Sequence, residues 1–369
     1  MGMTLVGLGT AVPDHRILQT DAATLATSFV EPDPGRERLL ATIYRQTQIR
    51  SRGSVLLDEP GPRSYAQDFF PPAAEAGAGG PTTAARMERY AAEAGRLAGR
   101  AAAAALADAD VDAAAVTHLV TCSCTGFANP GVDIELITQL GLRSTVSRTH
   151  VGFMGCHGAF NAVRVAGAFT AAQPDAVVLV VCVELCSLHF QYGSRGDLIV
   201  ANSLFADGAA AAVGVGCGHP ASGRRGRWIV ERQWTSLLPE SRDEMGWTIG
   251  DHGFEMNLAA TVPATIGREL PGLVGQSLAE LGLASGDVDC WAVHPGGPRV
   301  LLQVREALGL QTEDLAASQA VLAEHGNMSS GTILFILERL LRAGAAGRCV
   351  ALAFGPGLTA ELAVLTAAR

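Results

Sequence analysis

The chain has 369 residues, 48% hydrophobic and 17% charged, enough to bury a substantial core in two or three domain-sized units. Its formal net charge of −9, with a pI near 5.5, argues against broad nucleic-acid binding. All 27 basic residues are arginine, which excludes a lysine Schiff base, a pyridoxal-phosphate enzyme and a phosphate loop with its usual lysine.

"MGMTLVGLGTAVPDH" has no basic region ahead of a long apolar run, so it reads as a first strand at 4–9 and not as a signal peptide. Its "GLGT" lacks the third glycine and distant acidic partner of a dinucleotide fingerprint and reads as a tight turn. Residues 58–81 form one long irregular segment, expected as a surface loop. The spacing at 82–109 predicts the longest helix, with alanine and apolar residues on one face. Apolar runs at 116–124, 176–185, 209–216, 289–294, 349–355 and 360–367 predict strands, with helices at 262–283 and 331–344 among them. This alternation indicates an α/β fold, and the continuous apolar strands indicate a sheet covered on both faces. The polar, basic stretch "GHPASGRRGR" at 218–227 is the internal boundary, dividing the chain into 1–222 and 223–369. Each side ends in an apolar strand, a Gly-rich turn and another apolar strand, so a duplicated α/β unit is expected. No apolar run is suited to span a bilayer.

Eight cysteines are present, with no C-x-x-C pair and no partner set for zinc, so no metal site and a reducing cytoplasm are expected. Cys156, in "GFMGCHGAFNA", stands apart from the rest. It precedes an apolar helical run, where unpaired N–H groups and the helix dipole favour a thiolate. Gly155 and Gly158 permit a sharp turn on which a nucleophile can use its own N–H as an oxyanion donor. The neighbouring His157 is a poor base, because successive helical residues point about 100° apart. The useful histidine must come from elsewhere. "WAVHPGGP" puts His294 at a strand end, and "EHGNMSSGT" puts Asn327 just before a helix. Together the three stretches supply a Cys-His-Asn site.

"MGCHGA", "VHPGGP", "HGNMSSGT" and "FGPGLTAE", in this order, resemble type III polyketide synthases, the chalcone-synthase-like enzymes of the thiolase superfamily. The resemblance covers nearly the whole chain and looks closest to the bacterial branch. It implies a duplicated five-layered α/β/α/β/α fold, a homodimer, and a buried cavity reached by a coenzyme A tunnel. No cofactor is implied beyond the substrates, an acyl-CoA starter and malonyl-CoA. By position, Cys156 is then the acyl-accepting nucleophile, with His294 and Asn327 as partners. Phe205, in "NSLFADGAAA", matches a gatekeeping phenylalanine; taken alone it reads as one more core aromatic. Cys124, Thr125, His189, Trp247, Met256 and Ser329 fall at cavity positions. Several depart from the plant enzymes: Cys124, Cys186 and His189 replace threonines, Met256 a phenylalanine and Trp247 a glycine, which puts an aromatic starter in doubt. The plant enzymes hold coenzyme A phosphates with basic residues on an early helix; here Arg45, Arg50, Arg52 and Arg299 are offered instead.

The implied reaction is iterative decarboxylative condensation of malonyl-CoA, with a fatty acyl starter and alkylpyrone or alkylresorcinol products. Two rivals stand beside it. One is a single-extension ketoacyl synthase III; the other is a non-catalytic subunit that kept the fold.

Overall fold

A computed structural model describes residues 2–58, 67–77, 79–223 and 227–367. The first half contains β1 (Met3–Ala11), β2 (Arg16–Leu18), α1 (Gln19–Thr27), α2 (Pro34–Gln46), β3 (Ser51–Gly53) and α3 (Thr83–Ala109). It continues with β4 (His118–Ser123), α4 (Val132–Leu140), β5 (Ser147–Gly152), α5 (Gly158–Ala172), β6 (Val177–Leu185), α6 (Gly196–Leu204) and β7 (Asp207–Gly216). The second half contains β8 (Trp228–Leu237), β9 (Met245–Gly250), β10 (Gly253–Leu258), α7 (Val262–Ala279), β11 (Cys290–Val293) and α8 (Pro298–Leu308). It closes with α9 (Ala316–His325), α10 (Thr332–Arg342), β12 (Gly347–Gly355) and β13 (Thr359–Ala367).

Nine strands form one sheet in the order β11-β12-β13-β8-β1-β7-β6-β4-β5. Its two halves repeat one pattern. The first strand of each half pairs antiparallel with the last, the last antiparallel with the strand before it, and that strand parallel with an earlier one: β1-β7-β6-β4 and β8-β13-β12-β11. The halves join through their first strands, with Met3 opposite Val230 and Leu5 opposite Trp228.

Side chains alternate across each strand, so every strand feeds two layers. In β6, Val178, Val180 and Cys182 pack with α5 and α10, while Leu179, Val181 and Val183 pack with α3. In β12, Ala351 and Ala353 face the same central helices, while Val350 and Leu352 face α7 and α8. The result is five layers: outer helices, half-sheet, the α5–α10 pair, half-sheet, outer helices. This is the thiolase-like α/β/α/β/α arrangement. Both central helices begin where the chemistry-bearing stretches end, so burying them brings Cys156 and Asn327 together.

The long helix begins where the sequence placed it. Thr82 caps it, its hydroxyl accepting from the Ala85 N–H at 3.3 Å, and it ends at a left-handed Asp110. The helix predicted at 262–283 ends earlier, at Ala279. Of the segment 58–81, residues 59–66 and 78 lie outside the described residues; its Phe70 is buried and packs edge-on against Phe29 and Phe190. The boundary expected at 222/223 falls between β7 and β8, where residues 224–226 lie outside the described residues.

Candidate active site

Strand β5 delivers the chain to a tight elbow before α5. Phe153 and Gly155 both take positive φ, +58° and +85°, and Cys156 follows in the turn, buried. The Gly158 N–H closes the turn on the Gly155 carbonyl at 2.9 Å. Burial pushes the Cys156 thiol up to about 12, and hydrogen bonds from Ser329 and Asn327 pull less strongly the other way.

His294 follows β11 and is tied to β12 by its backbone N–H, which donates to the Leu352 carbonyl at 2.8 Å. Its ring is buried, and among the described residues neither ring nitrogen has a hydrogen-bond partner. Burial, then the charge of His157, holds it down to about 3. Two orphan polar atoms in a dry site are costly unless something else binds there.

Asn327 lies just ahead of α10. Its backbone pairs with the end of α6: its N–H donates to the Leu204 carbonyl and its carbonyl accepts from the Ala206 N–H, both at 2.9 Å. That bridge places Phe205 beside Asn327. The Asn327 Oδ1 accepts from the Ser329 N–H at 2.9 Å, leaving its Nδ2 free to face Cys156, with a long 3.5 Å contact to the Gly296 carbonyl beside it. His157 turns away from the sulfur; its Nδ1 meets the Asn161 Oδ1 at 3.0 Å, and Asn161 donates on to Glu361.

The other cavity positions divide. Trp247 and Met256 face each other across the β9–β10 hairpin, which the sequence reading did not recognise. The Trp247 ring packs edge-on against Phe205, His189 and Phe254 at 6.1, 5.6 and 6.1 Å between centroids. His189 stacks on Phe254 at 4.1 Å. Its Nδ1 accepts from the Phe254 N–H, so its Nε2 carries the proton and donates to the Thr125 carbonyl at 2.6 Å. Burial holds His189 at about 3. The Cys124 sulfur accepts from the Gly155 N–H at 2.9 Å, bracing the elbow. The Thr125 hydroxyl is committed to Glu184 at 2.8 Å.

Glu184 is the residue that sequence reasoning missed. It is fully buried and accepts from the Cys124 N–H at 2.9 Å and from the hydroxyls of Thr125 and Ser330. Burial pushes it up to about 7. A lone glutamate in the apolar run "VVLVVCVELC" was its only signal.

Two cavities flank α6. The outer one, about 500 Å³, is bordered by Gln46, Leu204, Gly296 and Arg299. The inner one, about 120 Å³, is bordered by Cys186, His189, Phe205, Trp247 and Met256. Arg299 is the one offered arginine at the outer cavity. Arg52 lines the inner one, and its guanidinium donates to the Asn202 and Phe205 carbonyls at 2.7 and 2.6 Å. Arg50 is exposed and pairs with Glu324 at 3.3 Å; Arg45 is exposed in the last turn of α2. Among the described residues, no cluster of His, Cys, Asp and Glu could hold a metal, and no helix is long and apolar enough to cross a membrane.

The sequence models for the N-terminal and C-terminal domains of chalcone and stilbene synthases match residues 2–219 and 230–368. The chain belongs to this family. It is a type III polyketide synthase of the bacterial type, an acyltransferase. It is 34% identical over 363 residues to the α-pyrone synthesis polyketide synthase-like Pks18 of Mycobacterium tuberculosis, covering 96% of this chain and 88% of that one. It is 34% identical over 377 residues to the 1,3,6,8-tetrahydroxynaphthalene synthase of Streptomyces peucetius, covering 99% and 93%. The crystal structure of PKS-I from the brown alga Ectocarpus siliculosus superposes with a TM-score of 0.91 at 30% identity, covering 99% and 98% of the two chains. In this polyketide synthase α5 and α10 are buried back to back, with Cys156 and Asn327 just ahead of their N-terminal ends.

Proposed function

We propose that this synthase loads an aliphatic, fatty acyl-CoA starter on Cys156 and extends it with malonyl-CoA by repeated decarboxylative Claisen condensation. Alkylpyrone or alkylresorcinol type products follow. The observation that carries the reading is the pair of unpartnered, buried His294 nitrogens, on a ring that feels the charge of His157, the chain neighbour of Cys156.

Since burial leaves the Cys156 proton on sulfur and His294 neutral, the imidazole acts first as a base. It takes the thiol proton as sulfur attacks the starter thioester; coenzyme A leaves as its thiolate and takes that proton. Malonyl-CoA then enters from the outer cavity. The His294 N–H and the Asn327 Nδ2 donate to its thioester oxygen while the C–C bond to carboxylate breaks. Carbon dioxide departs and an enolate forms. The enolate carbon attacks the Cys156 thioester, and the Cys156 thiolate is released for the next round. Losing one such donor costs about 10²–10³ in rate. Phe205, which lines the inner cavity beside Asn327, would exclude water from the decarboxylation. Arg299, which borders the outer cavity, would meet coenzyme A phosphates. We read the enzyme as a cytoplasmic homodimer; β5, the outer strand of the sheet, and exposed Phe153 and Met154 support a second copy there.

Mass spectrometry of products from malonyl-CoA and a ladder of acyl-CoA starters tests this. Tri- or tetraketides are expected, absent with Cys156→Ala and reduced at least about 100-fold with Asn327→Leu. Only single-extension ketoacyl products would move the enzyme to the ketoacyl synthase III reaction. Failure of Cys156 to acylate with any thioester would point to a non-catalytic subunit.

A further inference from the structure

His157 follows the nucleophile and is buried, yet among the described residues only one of its two ring nitrogens has a partner. Asn161, one turn along α5, donates from Nδ2 to the Glu361 Oε1 at 3.2 Å. Its Oδ1 therefore faces His157, and the imidazole proton sits on Nδ1. Glu361, on β13, is itself buried; the Thr235 hydroxyl donates to it at 2.9 Å, and the partly exposed Arg164 is its ion-pair partner. A chain of side chains from Arg164 inward thus fixes both the tautomer and the tilt of the ring.

The bare Nε2 edge of that ring lies on Gly355, the last residue of β12. A Cβ at Gly355 would stand 2.3 Å from the His157 Cδ2 and 2.7 Å from its Nε2. The next residue, Pro356, occupies the place of a Cβ at Gly155 in the same way. Elbow and turn therefore interlock at the two residues that flank Cys156. His294 hangs from this same β12, through its N–H on the Leu352 carbonyl, and feels the charge of His157. The charged and titratable groups that act on His157 are thus Glu361 from β13, Arg164 from α5 and His294 behind β11. Two coupled imidazoles in a buried site do not both carry a charge.

Resting on the condensing reading above, we propose that His157 is a positioning residue for acyl loading: its ring seats the nucleophile elbow against Gly355, and its neutral form leaves His294 able to accept the Cys156 proton. In that step the proton passes from the Cys156 sulfur to a His294 nitrogen, and sulfur bonds to the thioester carbon. The carbon–sulfur bond to coenzyme A breaks, and the departing thiolate takes the proton back from His294. A charged His157 opposes the first transfer, because it sets a second positive charge beside the imidazolium. Arg164 and Glu361 then govern how the site responds to acid, although neither belongs to the Cys-His-Asn set.

The test is the pH profile of Cys156 acylation by acetyl-CoA, followed by intact-protein mass spectrometry and normalised to each enzyme's own rate at its alkaline end. His294 stays unprotonated down to about 3, and Glu184, which acts on Cys156, is common to every variant. Arg164→Gln leaves Glu361 without its counter-charge, so His157 takes up its proton at higher pH. The acid fall of acylation is expected to move up by about one pH unit, a tenfold change in proton affinity. Adding His157→Phe should cancel that displacement. No displacement in Arg164→Gln, or one that persists in the double variant, would overturn the proposal. His157→Phe keeps a ring on Gly355, whereas His157→Asn keeps only a donor to Asn161. The phenylalanine variant is expected to acylate at least about tenfold faster, since small misplacements of a reacting group cost up to about 10²; equal rates would overturn the seating role. Nitrogen NMR of ring-labelled histidine reads His157 without turnover, and an Nε2–H tautomer would overturn the arrangement itself. If Arg164→Gln moves the His157 titration while the parent acylates with no thioester, the condensing reading falls and the His157 arrangement stands.

Discussion

At neutral pH the Cys156 sulfur keeps its proton, because burial pushes it up to about 12, and His294, held down to about 3, carries none. The helix-terminus argument from sequence pointed toward a thiolate, but helix-end effects are of order 1 kcal/mol, and a fully buried charge costs more. The expected consequence is a slow nucleophile in the empty enzyme. Alkylation of the Cys156 peptide by iodoacetamide should climb with pH through 9 without a plateau. An ion pair formed with His294 would instead give a plateau from below pH 7. Ser329→Ala, which removes a hydrogen bond that lowers the thiol, should slow alkylation at pH 9 several-fold. Cys156, His294 and Asn327 were visible in sequence because each sits where glycines punctuate an apolar element. Glu184 was not, because its partners Thr125 and Ser330 lie 59 and 146 residues away.

The elbow between β5 and α5 is the element on which the sulfur depends. Gly155 has φ +85°, and a Cβ there would lie 2.2 Å from the Cδ of Pro356, in the turn joining β12 to β13. Gly155→Ala therefore combines a left-handed backbone with a collision against a rigid ring. We expect it to lower the urea unfolding free energy by more than about 1 kcal/mol and to slow Cys156 acylation over tenfold; unchanged acylation in a folded variant would show that the elbow does not position the thiol. The turn was legible in "MGCHG", and the apolar central strands in their runs of valine and alanine. The β9–β10 hairpin was not. Its strands form a separate two-stranded ribbon. One of them is partly buried over its first half and exposed over its second, so neither periodicity nor apolar length marks it. The short, polar β5 escaped for the same reason: it is the outer strand, with exposed residues at most positions.

For the whole molecule, the duplication was legible in the strand–turn–strand endings of the two halves, but their junction was not: β1 meets β8 across a sequence gap that no local pattern spans. Packing two half-sheets on α5 and α10 also buries many histidines, and this sets how the fold responds to acid. His189, His294 and His325 are held down to about 3, 3 and 4, and His118, His150 and His157 are held below the ordinary value, in every case by burial first. In the unfolded chain these groups take up protons near 6.5, so below that pH the unfolded state binds more protons and the fold loses stability. Glu184 and Asp207 work in the opposite sense. Burial raises them from 4.5 and 3.8 to about 7 and about 6, so the folded chain holds their protons where the unfolded chain has released them. Burial also raises Glu135, but three carboxyls do not offset six histidines, and below pH 4 the unfolded carboxyls protonate as well, ending their opposition. The melting temperature is therefore expected to fall from pH 6.5 downward and to fall faster below about pH 4. His325→Gln should make the slope between pH 6.5 and 4.5 shallower, since one proton acceptor of the unfolded state is gone. Glu184→Gln should make it steeper, since one opposing group is gone. Equal slopes for the two variants by scanning calorimetry would mean that neither group's proton affinity changes on folding.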